Sequence, residues 1–200
     1  MSFPINSTQF EGLFRDAPDY LSLVVKSHYS IDQHLILMLQ DALPKADALE
    51  LGRVSFLLKF DFAAGMGLLR SDLRPIFALI NTVRNRVAHN PYVEFSPKES
   101  TEIKNVLLSR VSPVVPDDFR KVTEARNILE TLFAVGFINL EVARERLIVR
   151  MAESRITNQM VHEALSNKRP VEEPDLSVRE RFEKLLKRYL DEHYGRSVSA

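Results

Sequence analysis

Apolar residues recur every three or four positions along most of this chain, which is the spacing that one buried face of an α-helix produces. No window alternates strictly between apolar and polar residues over the length of a strand with turn signals at both ends. Only six glycines and ten prolines interrupt the pattern. The sequence therefore predicts an all-α fold, an antiparallel helical bundle with an appended C-terminal helix.

Two helices are predicted in the first third of the chain. The first begins near residues 16–19, where acidic groups suit the positive end of a helix and Pro18 suits its first turn, and it ends before Pro44. Its predicted inward residues are Leu21, Val24, Val25, Tyr29, Ile31, Leu35, Met38 and Leu39. The second covers about residues 45–66 and ends at Gly65 and Gly67. Its predicted buried residues are Leu49, Val54, Leu57, Leu58 and Phe62.

A third helix is predicted after Ser71, because Pro75 is tolerated in a first turn that needs no backbone donors. It ends at Asn90, because the residue before Pro91 avoids the α region. Its apolar stripe consists of Ile76, Leu79, Ile80, Val83 and Val87. A fourth helix, over about residues 96–110, is predicted from the Ser-Pro-Lys-Glu capping box at its start.

The second half of the chain begins with an extended connector, residues 112–116. A long helical pattern then runs from Asp117 through Ile148, and Gly136 is expected to bend or divide it. A proline-containing charged stretch at 166–175 predicts a linker, and a capping box at Ser177 starts the last helix, which docks on the bundle or on a partner. The predicted organisation is a bundle over 1–165, a linker over 166–175, and a C-terminal helix and tail over 176–200.

Composition narrows the function classes. Lys plus Arg and Asp plus Glu both total 27, so a contact with nucleic acid must use a local patch rather than a global field. The absence of cysteine excludes disulfides, thiolate zinc sites and a cysteine nucleophile. No segment has the roughly 20 apolar residues that span a bilayer, and the N-terminus lacks a signal pattern, so we expect a cytoplasmic protein without a membrane partner.

The residues with the most suggestive chemistry are Arg84, Asn85 and His89, in the last turns of the third helix. Asn85 and His89 are four residues apart and share one helix face, while Arg84 lies about 140° from His89 but is long enough to reach the same place. The carbonyls at a helix C-terminus favour a protonated imidazole, and arginine clamps phosphoryl oxygens. We expect a phosphate site here, with Arg86 facing solvent and adding affinity.

The string Arg84-Asn85-Arg86-Val87-Ala88-His89 resembles the Arg-Asn-x-x-x-His signature of the HEPN superfamily of small all-α domains. Residues 57–69 and 80–83 are similar to the helix-loop-helix that precedes the motif in several HEPN-type families, including mannitol operon repressor-like proteins. The resemblance covers roughly residues 20 to 110.

HEPN families include metal-independent endoribonucleases, in which a homodimer joins two motifs in one cleft, and members without catalysis. The resemblance implies that His89 transfers a proton as the RNA 2′-hydroxyl attacks the adjacent phosphate, that Arg84 stabilises the charge, and that Asn85 orients His89 or the phosphate. It matches Asp32 to an acidic or polar residue on the first long helix. It implies a cyclic phosphate product, with no metal or cofactor. Asn90 stands where some toxin members have tyrosine, which disfavours a two-component toxin–antitoxin system.

Two functions therefore stay open: a dimeric RNA-cleaving enzyme, and a non-catalytic regulatory or protein-interaction module of the mannitol operon repressor type. Direct DNA binding is disfavoured, because no short turn joins a helix pair with a basic recognition face. A carboxylate–histidine site can be drawn from His28, Asp32 and His34, but a polar helix edge is the simpler interpretation. No His-Glu-x-x-His or comparable cluster is present, so no metal is expected.

Overall fold

The structure is a computed structural model that describes residues 7–90, 92–111, 117–166 and 177–194. Within these residues the chain forms seven α-helices, joined in places by short 3-10 turns, and no strand. The helices are α1 (Ser7–Arg15), α2 (Tyr20–Ala42), α3 (Phe56–Gly65), α4 (Arg74–His89), α5 (Pro97–Val111), α6 (Ala125–Leu165) and α7 (Val178–Tyr194). The predicted all-α helical bundle is confirmed.

The chain divides into two compact units, Met1–Arg144 and Glu145–Ala200, and α6 runs from the first into the second. In the second unit, α7 packs on the C-terminal part of α6 through Leu190, Ile148 and Ala152. The boundary predicted between residues 165 and 166 thus differs from the boundary between the two units, at residues 144 and 145, because the C-terminal part of α6 shares its core with α7. The predicted connector at 112–116 and all of the predicted linker except Ser166 lie outside the described residues.

Helix α2 is the centre of the first unit, where it packs against α1, α3 and α4. Its cap is Asp19, whose Oδ1 accepts a hydrogen bond of 2.7 Å from the Ser22 amide, so Pro18 precedes the helix rather than lying in its first turn. The predicted inward face is correct at Val24, Ile31, Leu35, Met38 and Leu39, all of them buried.

The prediction is wrong at two residues of that face, Val25 and Tyr29, because both are exposed. The polar residues Ser27 and His34 are buried in their place. His34 can be accommodated because its Nδ1 lies 2.9 Å from the Ser30 carbonyl oxygen and its ring packs on Phe137.

Helix α3 is shorter than predicted. Residues 46–48 and 51–53 form 3-10 turns, and the α-helix begins only at Phe56, after the extended residues Val54 and Ser55. Gly65 is its last residue, and Gly67 has a φ of 71°, in the left-handed region that glycine adopts most easily. The predicted end of this helix is confirmed.

The predicted buried face of α3 is wrong. Leu49, Leu58 and Phe62 are exposed, and the buried residues are Phe56, Lys59, Phe60 and Ala63. The physical reason is an ion pair between Lys59 and α2, described below, which turns the lysine inward and the apolar stripe outward.

Helices α4 and α5 follow the prediction. Pro75 lies in the first turn of α4, Asn90 caps its end, and Ile76, Ile80 and Val87 are buried on its inner face. At the start of α5 the Ser96 amide donates to Glu99 Oε2 at 2.9 Å and the Glu99 amide donates to Ser96 Oγ at 3.3 Å. This reciprocal pair is the predicted capping box.

Helix α6 continues through Gly136, so the expectation that this glycine divides the helix is wrong. A 3-10 turn, Asp117–Lys121, precedes it, which places its start later than predicted. A Cβ atom on Gly136 would lie 2.6 Å from Ile80 Cδ1 and 3.3 Å from Ile31 Cδ1. The glycine therefore lets α6 approach α4 and α2 closely. Among the described residues, no helix combines the length and apolar content needed to cross a bilayer.

We expect the free energy of unfolding of Gly136→Ala to lie about 1 to 3 kcal/mol below that of Gly12→Ala, because both substitutions gain helix propensity but the methyl group at 136 overpacks the core against Ile80. Gly12→Ala is the matched control, since a Cβ there meets nothing within 4 Å and should gain up to about 1 kcal/mol of helix propensity. Urea unfolding measures both. A Gly136→Ala variant as stable as Gly12→Ala would contradict the close approach.

Candidate functional site

Three residues of the candidate motif lie exposed on the last two turns of α4. Arg84, Asn85 and His89 all present their side chains to solvent, and Arg84 Nη1 donates a hydrogen bond of 3.1 Å to Asn85 Oδ1. The two residues of the Arg-Asn pair are thus held together, one helical turn before His89. All three are accessible to a ligand, as a phosphate site requires.

Arg86 is partly exposed, with 35% of its side chain open to solvent, but its guanidinium already has partners. Its Nη1 donates to Glu99, its Nη2 donates to the Glu94 carbonyl oxygen at 3.1 Å, and its guanidinium lies 4.9 Å from the centroid of the Phe95 ring. The reason is the capping box, which brings Glu99 to the end of α4. Arg86 therefore ties α4 to the start of α5, and its charge is already paired.

The hydrogen bonds of this arrangement stabilise the ionised form of the Glu99 carboxylate. Hydrogen bonds from the Ser96 side chain and backbone, and then from Arg86, lower the pKa of Glu99 to about 2. The carboxylate stays ionised across the physiological range, so Arg86 keeps its partner.

Asp32 is bound by a lysine that the sequence interpretation missed. Lys59 Nζ on α3 donates to both carboxylate oxygens of Asp32, at 2.6 Å and 2.7 Å. The lysine side chain is only 2% exposed and that of Asp32 20%. Lys59 lies in an apolar periodicity with Phe56, Phe60 and Ala63, and this placement was the signal that could have found it. The Asp32 carboxylate is therefore the partner of a buried lysine, and its catalytic role stays a prediction.

His28 lies one turn before Asp32 and is not part of a polar helix edge. Its ring packs on Phe56 with the centroids 4.5 Å apart, and its Nε2 is buried without a hydrogen-bond partner among the described residues. Burial lowers the pKa of His28 to about 4, the Asp32 carboxylate opposes the shift, and the charges of Arg84 and Lys59 add to it. His28 is therefore neutral at pH 7.

The first unit also has a surface pocket of about 500 Å³ beside the start of α2. It is lined by Pro18, Asp19, Tyr20, Tyr92, Val93, Glu94, Glu124 and Arg126. Three carboxylates line it against a single arginine, and that arginine already donates to Glu130 and to the carbonyl oxygens of Phe14 and Ala17. The pocket is thus unsuited to a phosphate.

Within the part of the chain that the structure describes, no three His, Asp or Glu side chains converge in a way that could hold a metal ion. Models of known protein families, curated proteins and solved structures give no match to this chain. The class that fold and site define is an all-α protein with an exposed Arg-Asn-x-x-x-His string at a helix end.

We expect Asp32→Ala to destabilise the protein by about 3 kcal/mol or more, because it leaves the buried Lys59 charge without a partner. Lys59→Met should cost less, since the carboxylate that it leaves behind is partly exposed. Asp61→Ala, in the exposed pair with Arg74, is the control and should cost less than about 1 kcal/mol. Denaturant unfolding compares the three, and equal losses would contradict the special role of the buried pair.

The low pKa of His28 predicts a specific loss of stability in acid. The His28 ring binds a proton near pH 6.5 in the unfolded chain but only near pH 4 in the folded protein. The contribution of the neutral ring to the free energy of unfolding is therefore complete above pH 6.5 and is lost as the pH falls towards 4. The expected loss is about 3 kcal/mol. His28→Phe should flatten this part of the stability profile, whereas His162→Phe, at an exposed histidine, should leave it unchanged. Urea unfolding at pH values from 4 to 7 measures the slopes.

Proposed function

We propose that this protein is a HEPN-like, metal-independent endoribonuclease that acts as a homodimer and binds RNA at the end of α4. The observation that carries the proposal is that Arg84, Asn85 and His89 are all exposed at that end. The Arg84 side chain also donates a hydrogen bond to the Asn85 side chain. A phosphodiester could contact all three side chains without any rearrangement of the buried core.

The charges at this helix end support the same assignment. Arg86 is paired with Glu99, whereas neither Arg84 nor His89 forms an ion pair among the described residues. The string therefore offers one guanidinium and one imidazole to an anion, not a general basic surface. Because the protein has equal numbers of acidic and basic residues, it has no strong global field that attracts phosphate. Phosphate binding must then use a local pair of this kind.

The proposed reaction is an internal transfer within RNA. The 2′-hydroxyl loses its proton and attacks the adjacent phosphorus, the bond from phosphorus to the 5′-oxygen breaks, and that oxygen receives a proton. The products are a 2′,3′-cyclic phosphate and a 5′-hydroxyl end. His89 serves in proton transfer, and Arg84 stabilises the charge on the phosphoryl oxygens, with Asn85 as the orienting group.

A homodimer would bring a second His89 to the same phosphate, so that one imidazole could take the proton and the other could give it. Asp32 is outside this proposed set of reacting groups, because its carboxylate is the partner of the buried Lys59. In this proposal Asp32 supports the fold behind the site.

The test is cleavage of an end-labelled RNA of mixed sequence in EDTA. We expect wild-type protein to cleave it and His89→Ala to lose about 100-fold or more of the rate, the usual contribution of a general acid or base. His162→Ala, which removes an exposed histidine from α6, should cleave at the wild-type rate. Circular dichroism and the unfolding midpoint must show that the His89→Ala variant is folded.

Cleavage at the wild-type rate by folded His89→Ala would show that the activity does not come from this motif. A cyclic phosphate on the new 3′ end would support the proposed chemistry. It is detected because phosphatase restores 3′-end ligation only after acid has opened the ring.

A non-catalytic protein-interaction module is the second candidate function. The observation that favours it is an exposed apolar stripe on α3, formed by Leu58, Phe62 and Met66, which are 45%, 45% and 42% exposed. These residues are four positions apart and lie on one helix face, where a protein partner could cover them. Intact RNA with wild-type protein, together with loss of partner binding in Phe62→Ser, would favour this function over the ribonuclease.

A further inference from the structure

Arg86 ties the last turn of α4, which carries His89, to the segment that follows the helix. The Asn90 amide ends the helix with a hydrogen bond of 3.0 Å to the Arg86 carbonyl oxygen. Beyond it, the Val93 amide donates to the Asn90 carbonyl oxygen at 3.1 Å, as in a turn. Arg86 Nη2 donates to the Glu94 carbonyl oxygen, also at 3.1 Å. Arg86 thus contacts the backbone that follows His89 through both its carbonyl oxygen and its guanidinium.

The guanidinium of Arg86 is itself held on two further sides. Its Nη1 donates to Glu99 of α5, and the Ser96 amide and hydroxyl donate to the same carboxylate at 2.9 Å and 2.7 Å. The centroid of the Phe95 ring lies 4.9 Å from the guanidinium carbon. Phe95 in turn packs edge-on against Tyr20 of α2, with the centroids 5.5 Å apart. Arg86 therefore connects the end of α4 with α5 directly and with α2 through two aromatic rings.

His89 has no comparable support of its own. Its side chain is exposed and forms no hydrogen bond or ion pair among the described residues. The place of its imidazole therefore depends on the backbone of the last helical turn, the part of a helix that frays most easily. In an enzyme, a misplacement of about 1 Å can cost roughly 100-fold in rate.

We infer that Arg86 is a positioning residue that fixes the last turn of α4 and so holds His89 at the proposed phosphate site. This inference rests on the proposed function. Arg86 then acts on the rate of cleavage and not on the affinity for RNA. In the competing role, expected from the sequence, the Arg86 cation adds affinity for phosphate. The pair with Glu99 opposes that role, because a phosphate would have to displace a carboxylate.

The test separates affinity from rate in Arg86→Met, which keeps an unbranched apolar side chain but lacks the guanidinium. Binding is measured by fluorescence anisotropy on a short RNA with 2′-O-methyl groups, which cannot be cleaved. The rate is measured on the unmodified RNA at saturating protein. We expect Arg86→Met to bind as tightly as the wild type and to cleave about 10- to 100-fold more slowly. Arg84→Met, which removes a proposed phosphate ligand, should instead weaken binding.

Arg74→Met is the matched control, because Arg74 forms an ion pair with Asp61 at the opposite end of α4. It should change neither the affinity nor the rate. Equally slow cleavage by Arg74→Met and Arg86→Met would show a general effect of helix stability and would overturn the positioning role.

Glu99→Gln tests the same pair from the other side and covers the case in which Arg86→Met does not fold. Glutamine can retain the capping box but lacks the charge that pairs with Arg86. We expect slower cleavage with unchanged affinity. A gain in RNA affinity would show that Arg86, once released, is a phosphate ligand, and would overturn the inference.

Amide hydrogen exchange gives a measurement that needs no activity. The amides of Asn90 and Val93 should exchange about tenfold faster or more in Arg86→Met, because their hydrogen bonds lie in the segment that Arg86 holds. The amide of Ile80, in the middle of α4, should be unchanged in both Arg86→Met and Arg74→Met.

The outcomes distinguish this inference from the proposed function. Faster exchange at the end of α4 with unchanged RNA affinity, but no cleavage by the wild type, would support the role of Arg86 and overturn the proposed reaction. Weaker RNA binding by Arg86→Met, or an unchanged rate and unchanged exchange, would overturn the role of Arg86 alone. Absence of RNA binding by the wild type would overturn both.

Discussion

The ion pair between Lys59 and Asp32 sets the arrangement of the helices behind the candidate site. A lysine that is 2% exposed keeps its charge in a folded protein only when an opposite charge neutralises it and accepts its hydrogen bonds. Asp32 does both, with two contacts below 3 Å. Because the two residues belong to α2 and α3, the pair fixes the rotation of α3 against α2, and an alternative rotation would leave a buried charge without a partner.

That rotation has consequences on both sides of α3. On the inner side it presents Phe56 to the His28 ring of α2, with the centroids 4.5 Å apart. On the outer side it exposes Leu58, Phe62 and Met66, three large apolar residues that would otherwise be expected in the core. The same buried charge thus supports the wall behind the proposed RNA site and creates the surface on which the competing interaction function depends.

The features that could be predicted from the sequence are those determined by local chemistry. The caps at Ser96 and Ser177, the proline in the first turn of α4 and the end of α3 at Gly65 follow from backbone hydrogen bonding and allowed dihedral angles over a few residues. The predictions that were wrong concern features that depend on pairs of residues distant in the chain. Lys59 is 27 residues from Asp32, and helical periodicity can place a lysine on an apolar face but cannot show which distant carboxylate will pair with it.

The candidate site shows the same division. Spacing alone places Arg84, Asn85 and His89 at the end of one helix, but it cannot separate Arg84 from Arg86. The tertiary structure does so: Glu99, brought close by the start of the next helix, pairs with Arg86, while Arg84 donates to the uncharged Asn85 and forms no ion pair among the described residues. A phosphate approaching Arg84 would displace no carboxylate, so its binding energy is not reduced by the loss of an existing ion pair. Glu99 thus decides which of the two arginines is available to the proposed phosphate.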